Sequence, residues 1–314
     1  MFVCAHPAID PGIRTALMLQ TVLGFESRQI AAAYVVAEPA MAQRLVRAKK
    51  RIKRAGIPFE IPGVDAMPER LTPVLEAIYG AYAIDWQPVA GVDERDSLAA
   101  ESQYLAITLA ELLASVGAAE PEAFGLAALI CYSRARAGAR LDPDGTLVPL
   151  DEQPTALWDA AQIARGERLL TRAHSLGSAR SLARAHSLER VGRFQLEASI
   201  QSVHCARAVT GRTDWAALRA LTAALVRVAP TLGARVSLAA VIGEIEGATA
   251  GLQHLDTVAG AERFQPAWAT RAHLLAAAGQ TDAAASAYAK AISLTTDAPS
   301  RRFLENRAAA TVRA

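Results

Sequence analysis

Apolar residues recur along most of this chain at spacings of three and four, the period of a helix that buries one side. In IRTALMLQTVLG, Ile13, Leu17, Leu19 and Val22 fall mainly on one stripe, and Gly24 is placed to end the helix. A second helix is expected over Ser27–Tyr34, with Ser27 as its cap and Ile30, Ala31 and Tyr34 on its inner face. After a break at Val35–Glu38, Pro39 suits the first turn of a third helix, where a missing amide proton costs nothing. Along this helix Met41, Leu45, Ala48 and Ile52 make the buried stripe, and Gln43, Arg47, Lys50 and Arg54 make the opposite face.

Residues 59–68, within a proline-rich stretch, read as a linker, and helical periodicity resumes from 69 to the end at 314. A strongly periodic helix is expected over 97–116, closed by Gly117. LDPDGTLVPLDEQP is the one extended-looking interlude, with Thr146–Leu150 as a short hairpin arm or an ordered loop around the Asp-Pro-Asp-Gly turn. RAHSL occurs at Arg172–Leu176 and again at Arg184–Leu188; the duplication predicts a lengthened helix or an exposed loop, with His174 and His186 on the surface. His204 and Cys205 fall on a helix and read as packing residues.

The stretch AWATRAHLLAAAGQTDAAASAYAKAISL lays without gaps over a tetratricopeptide unit. Trp268, Ala272, Leu275, Gly279, Ala284, Tyr288 and Ala291 stand at its packing positions. Degenerate relatives of that unit are expected from about 214 onward, stacked into a short right-handed superhelical array and closed by a helix near Ser300–Thr311. The fold class is therefore all-α.

Composition sharpens this reading. Aromatic residues make up only 5% of the chain against 52% hydrophobic overall, which favours closely packed helices over sheets. The net charge of +2 is nearly balanced, so an argument for a polyanionic partner has to come from clustering. Clustering is present: seven of the thirty-three Lys and Arg residues lie within Arg44–Arg54. Two short helices joined by a turn, the second apolar inside and basic outside, form a helix-turn-helix, expected over 1–58. Lys and Arg release counterions from phosphates, while Gln43 and Arg47 are types that read base edges in the major groove. The three cysteines, Cys4, Cys131 and Cys205, are few and far apart, as expected of reduced thiols in a cytoplasmic protein. No run of eighteen apolar residues is present, so no membrane partner is expected. Phosphate-cradling loops, metal-spaced clusters and nucleophile elbows are absent from the sequence, so neither enzymatic activity nor a catalytic residue, metal or cofactor is expected.

GFESRQIAAAYVVAEPAMAQRLVRAKKRIKRAGIPFEIP resembles region 4 of extracytoplasmic-function RNA polymerase sigma factors. MAQRLVRAKKRIKRAGIPF followed by a long helical extension is similar to the subgroup with a C-terminal tetratricopeptide-like domain. The resemblance implies contact with the minus-35 promoter element and with RNA polymerase core, and it places the family's groove-facing positions on Ala42, Gln43, Val46 and Arg47. Together with the neighbouring polar positions, the candidate DNA-binding set is Ser27, Arg28, Gln29, Ala42, Gln43, Arg44, Val46, Arg47, Lys50, Arg51 and Arg54. The chain departs from the family at Ala37, Pro39 and Ala40, where a Pro before the Glu and a Thr before the Met are usual, and at Tyr79–Tyr82, where an Asn-Glu-Gly-Tyr run is usual. Region 2, which melts the promoter, has no counterpart before the first helix, so the chain reads as a sigma factor lacking its first half.

The function expected is a transcription initiation component with a regulatory helical extension, on which a protein or peptide docks. The alternative is a protein-interaction scaffold with a vestigial DNA-binding module.

Overall fold

The computed structural model describes residues 1–34, 36–57, 60, 62–86, 92–183 and 191–313. Val35, Phe59 and the second RAHSL with His186 lie outside the described residues. Every regular element among those described is helical, and pairing between extended residues is limited to one antiparallel bridge, Leu141 to Leu147. The chain divides into two compact units, Met1–Ile130 and Cys131–Ala314.

The first unit runs through α1 (Pro11–Thr21), α2 (Ser27–Ala33), α3 (Glu38–Arg54), α4 (Met67–Trp86), α5 (Val92–Ser115) and the start of α6 (Pro121–Ala135). Asp10 starts α1 by accepting from the Gly12 amide at 2.8 Å, with Pro11 in the first turn. Gly24, with φ of 77°, supplies the left-handed corner that turns the chain toward α2. Because α1 stops at Thr21, Val22 falls past the helix end and is 48% exposed, not part of the stripe. The cap of α2 also differs from expectation: Glu26 is the N-cap and Ser27 the first helical residue. Gln29 Oε1 accepts from the Glu26 amide at 2.8 Å, so the third helical residue selects the cap. Glu38 and Pro39 fill the first turn of α3.

One core joins these elements. Ile13, Leu17, Ile30, Met41, Leu45 and Ala81 are buried together, with Ile52 and Ile84 packed on the cluster. The expected stripe on α3 is thus the buried one. Ala81 and Ile84 belong to α4, so the helix-turn-helix shares its core with the helix that follows. Burying such side chains stabilises by about 1.5–3 kcal/mol each, which is what holds α3 at a fixed rotation. Further along, α5 begins at Val92, earlier than periodicity indicated, and ends before Gly117, whose φ is 76°.

The second unit continues with α7 (Ala160–Ala183), α8 (Arg193–Cys205), α9 (Arg207–Thr210), α10 (Trp215–Val228), α11 (Leu232–Glu246), α12 (Ala248–Asp256), α13 (Gln265–Ala277), α14 (Thr281–Leu294) and α15 (Ala298–Arg313). The helix pair α13–α14 spans the stretch whose sequence reads as a tetratricopeptide unit. Ala272, Ala287, Tyr288 and Ala291 are buried against Trp268 and Leu275, and Gly279 makes the turn with φ of 71°. On the far side α15 closes it through Leu304. The preceding pair, α11 and α12, cross so closely that a Cβ on Gly251 would lie 2.9 Å from the Cα of Gly243.

The 141–153 segment is an ordered loop. Asp142 Oδ1 accepts from the Thr146 amide at 2.7 Å, and Gly145 takes a left-handed φ of 75°. Arg302 of α15 donates to the Gly145 carbonyl at 2.5 Å, Arg307 pairs with Glu152, and Arg207 donates to the carbonyls of Leu150, Asp151 and Gln153. His174 is exposed on α7. Cys205 is buried, and burial pushes its thiol up to about 11. His204 is half-buried beside it; burial first, then the nearby Arg136 and Arg207 guanidiniums, push the imidazole down to about 4.

Candidate nucleic-acid interface

The face of α3 opposite Met41, Leu45 and Ala48 carries Gln43, Arg47, Lys50 and Arg54, all exposed. Between them Val46 is 50% exposed, an apolar patch on a basic surface. Lys49, Arg51 and Lys53 extend the charge around the helix and are exposed as well. Among the described residues no carboxylate pairs with Arg47, Lys50, Arg51 or Arg54, so their charge is available to an outside partner. Arg51, Lys53 and Arg54 in the last turn of α3 suit the negative end of its dipole, which offsets part of the repulsion among the clustered like charges.

Other members of the candidate set stand differently. Arg44 is half-buried and donates to the Gly12 carbonyl at 2.8 Å, so it ties α3 to the start of α1. Arg28 is exposed and pairs with Glu26 at 2.9 Å. Gln29 is exposed but occupied in the α2 cap, and Ser27 and Ala42 are half-buried. The structure therefore brings Gln43, Val46, Arg47, Lys50 and Arg54 onto one accessible face, with Arg51 at its edge, and leaves Ser27, Arg28 and Gln29 on α2 beside it. Tyr34, expected to face inward, is 39% exposed at the end of α2; burial is the first cause that raises its hydroxyl pKa, and a hydrogen bond with Thr15 opposes it.

Two residues beside α3, Ile9 and Asp10, have no role expected from sequence, and Ile13 is expected only on a buried stripe. Ile9, Asp10 and Ile13 meet Arg44, Arg47, Arg51 and Ile52 around a cleft of about 370 Å³ between the start of α1 and α3. No local pattern marks the cleft, because its two walls lie more than thirty residues apart in sequence. Beside this cleft, Arg47, Lys50, Arg51 and Arg54 border an open basic shelf.

Among the described residues no group of three His, Cys, Asp or Glu side chains is placed to hold a metal ion. No described helix is long and apolar enough to cross a membrane.

Residues 70–174 match a family of unknown function, DUF6596, a stretch that runs from within α4 to within α7. Over 307 residues the chain is 32% identical to the uncharacterized protein R00370 of Rhizobium meliloti (strain 1021), a match that covers 97% of this chain and 69% of that protein. The chain belongs to the same family as that protein. No solved structure matches it.

Proposed function

We propose that this protein is a transcription factor component whose first unit binds promoter DNA and RNA polymerase in the manner of sigma region 4, and whose second unit regulates it. The observation that carries this reading is the division of α3. Its buried stripe fixes its rotation, and the exposed face then presents Gln43, Val46, Arg47, Lys50 and Arg54 together, with α2 capped behind it. Phosphate contacts from Lys50 and Arg54 position the helix, Gln43 and Arg47 hydrogen-bond base edges, and Val46 packs on thymine methyl groups. The resemblance in the helix-turn-helix segment supports promoter DNA as the target.

A mobility-shift titration of the full chain on promoter duplexes at low ionic strength tests the proposal. Binding that weakens with salt and is reduced by Arg47→Ala supports it; the absence of any shift at low salt refutes it.

A second reading is favoured by the α13–α14 pair, since tetratricopeptide-like units commonly serve as docking surfaces. In that reading the chain is an interaction scaffold that takes a protein or peptide partner. It gains if duplex binding is absent while a partner is retained by residues of the second unit.

A further inference from the structure

α5 buries one side, through Ala106, Ala110 and Leu113, and turns large apolar residues outward on the other. Tyr104 is 69% exposed and Leu112 57%; with Thr108 between them they stand four residues apart, a line about 12 Å long. Glu101 and Glu111 are exposed on the same side, and from residue 98 to the end of α5 at Ser115 there is no Lys or Arg. Among the described residues no cation pairs with either glutamate. Single apolar residues on a surface are ordinary, but a line of them edged only by acids fits a partner helix that is apolar at its centre and basic at its margins.

The outer face of α3 has that pattern. Val46 is exposed among Arg47, Lys50 and Arg54, and no acid occurs between Gln43 and Arg54. The two faces are also of similar length, about 15 Å from Glu101 to Glu111 and about 17 Å from Gln43 to Arg54. Both helices belong to the first unit, and both faces are open at once, so α3 does not cover α5 of its own chain. A second copy can bring the one to the other.

We propose that the outer face of α3 in one copy docks on Tyr104, Thr108, Glu111 and Leu112 of α5 in a second copy. With the helices antiparallel, Val46 meets Leu112, Arg47 and Lys50 lie beside Glu111, and the Arg54 guanidinium covers the Tyr104 ring. The two patches differ, so the contact is heterologous, and a pair of copies keeps one α3 and one α5 face open. It is small beside the roughly 1,200–2,000 Å² of a lasting complex, so it forms at protein concentrations on the order of 100 µM and weakens with salt. The contact uses the α3 face of the DNA reading but does not depend on that reading. A copy seated there covers Gln43 and Arg47, so self-association and duplex binding exclude one another.

Sedimentation velocity of the full chain without DNA, from about 1 to about 100 µM, is the test. At low salt the mean sedimentation coefficient is expected to rise with concentration, and salt of about 0.5 M to suppress the rise. Glu111→Lys alone, and Arg47→Glu with Lys50→Glu, should each weaken association at least about tenfold, while an equimolar mixture of the two restores it because opposite charges then face each other. Leu112→Asn, with every charge kept, should weaken it at least about threefold. All four positions are exposed, and circular dichroism checks each variant's fold. A native chain that stays monomeric at low salt overturns the proposal and requires no variant. Association that these changes leave intact overturns it too, as do charge variants that remain apart when mixed. If association behaves as expected and no duplex shift is seen, the DNA reading falls and this contact stands.

Discussion

The charge on α3 makes a quantitative demand on DNA binding. Each phosphate neutralised by a Lys or Arg contributes about 0.9 to the slope of log K against log salt. Lys50 and Arg54 are exposed, lie on the same face as Gln43 and Arg47, and have no carboxylate partner among the described residues. On the proposed reading both meet phosphates with their charge uncompensated, so the double substitution Lys50→Ala with Arg54→Ala should flatten the slope by about 2. Arg28 and Arg44 are internal controls of different kinds. Arg28 lies on α2, off that face, with the Glu26 carboxylate 2.9 Å away offsetting its attraction to a phosphate, and Arg28→Ala should change the slope by well under one. Arg44 is committed to the Gly12 carbonyl, and Arg44→Ala should act through the docking of α1 on α3, lowering the melting temperature with little change in slope. Fluorescence anisotropy with a labelled promoter duplex, repeated across a salt series for each variant, gives the slopes directly. A double variant with an unchanged slope, or an Arg28→Ala slope shift equal to that of Arg54→Ala, would refute the assignment of the outer α3 face as the phosphate contact.

Four other predictions concern stability. A methyl at Gly251 meets the Gly243 Cα at 2.9 Å and the Ala239 carbonyl at 3.0 Å, backbone atoms that cannot step aside. The clash of up to about 3 kcal/mol exceeds the helix gain of about 1 kcal/mol, so calorimetry should show Gly251→Ala melting about 4–8 °C lower. Gly233→Ala in α11 meets nothing closer than 4.0 Å and should melt unchanged or slightly higher. His204 has a folded pKa of about 4 against an ordinary 6.5, so below pH 6.5 the unfolded chain takes a proton that the folded chain refuses. Stability should therefore fall as pH drops from 6.5 to 4, and urea titrations of His204→Gln should lose that part of the pH dependence. Leu45→Ala, at a side chain 1% exposed in the first unit's core, should cost about 2–5 kcal/mol by urea unfolding and reduce duplex binding through loss of the α3 mounting.

Much of the helical architecture is legible in the sequence because a helix packed on one side must repeat its apolar residues. Met41, Leu45, Ala48 and Ile52 mark the buried side of α3, and the small residues Ala272, Ala284 and Ala291 mark the close packing in α13–α14. Ends are harder to read than interiors. Val22 continues a stripe whose helix has already stopped, and Glu26 and Ser27 are both able to cap α2 until the reach of Gln29 decides between them. The cleft is illegible for another reason: Asp10 and Arg51 carry no shared period, and only the packing of α1 on α3 brings them to one rim. The same holds for Gly243 and Gly251, whose need for a bare backbone comes from the crossing of α11 and α12 and from nothing local.

The loop at 141–153 carries a constraint in time. Its Gly145 carbonyl and Glu152 carboxylate are gripped by Arg302 and Arg307, which follow their partners by 157 and 155 residues. At synthesis on the order of 10 residues per second, the loop leaves the ribosome roughly 15 s before those arginines exist. During that interval Arg207 alone among these clamps can hold it, so nascent chains halted before α15 should be cut by protease at the Asp142–Gly145 turn, while chains carried through α15 resist.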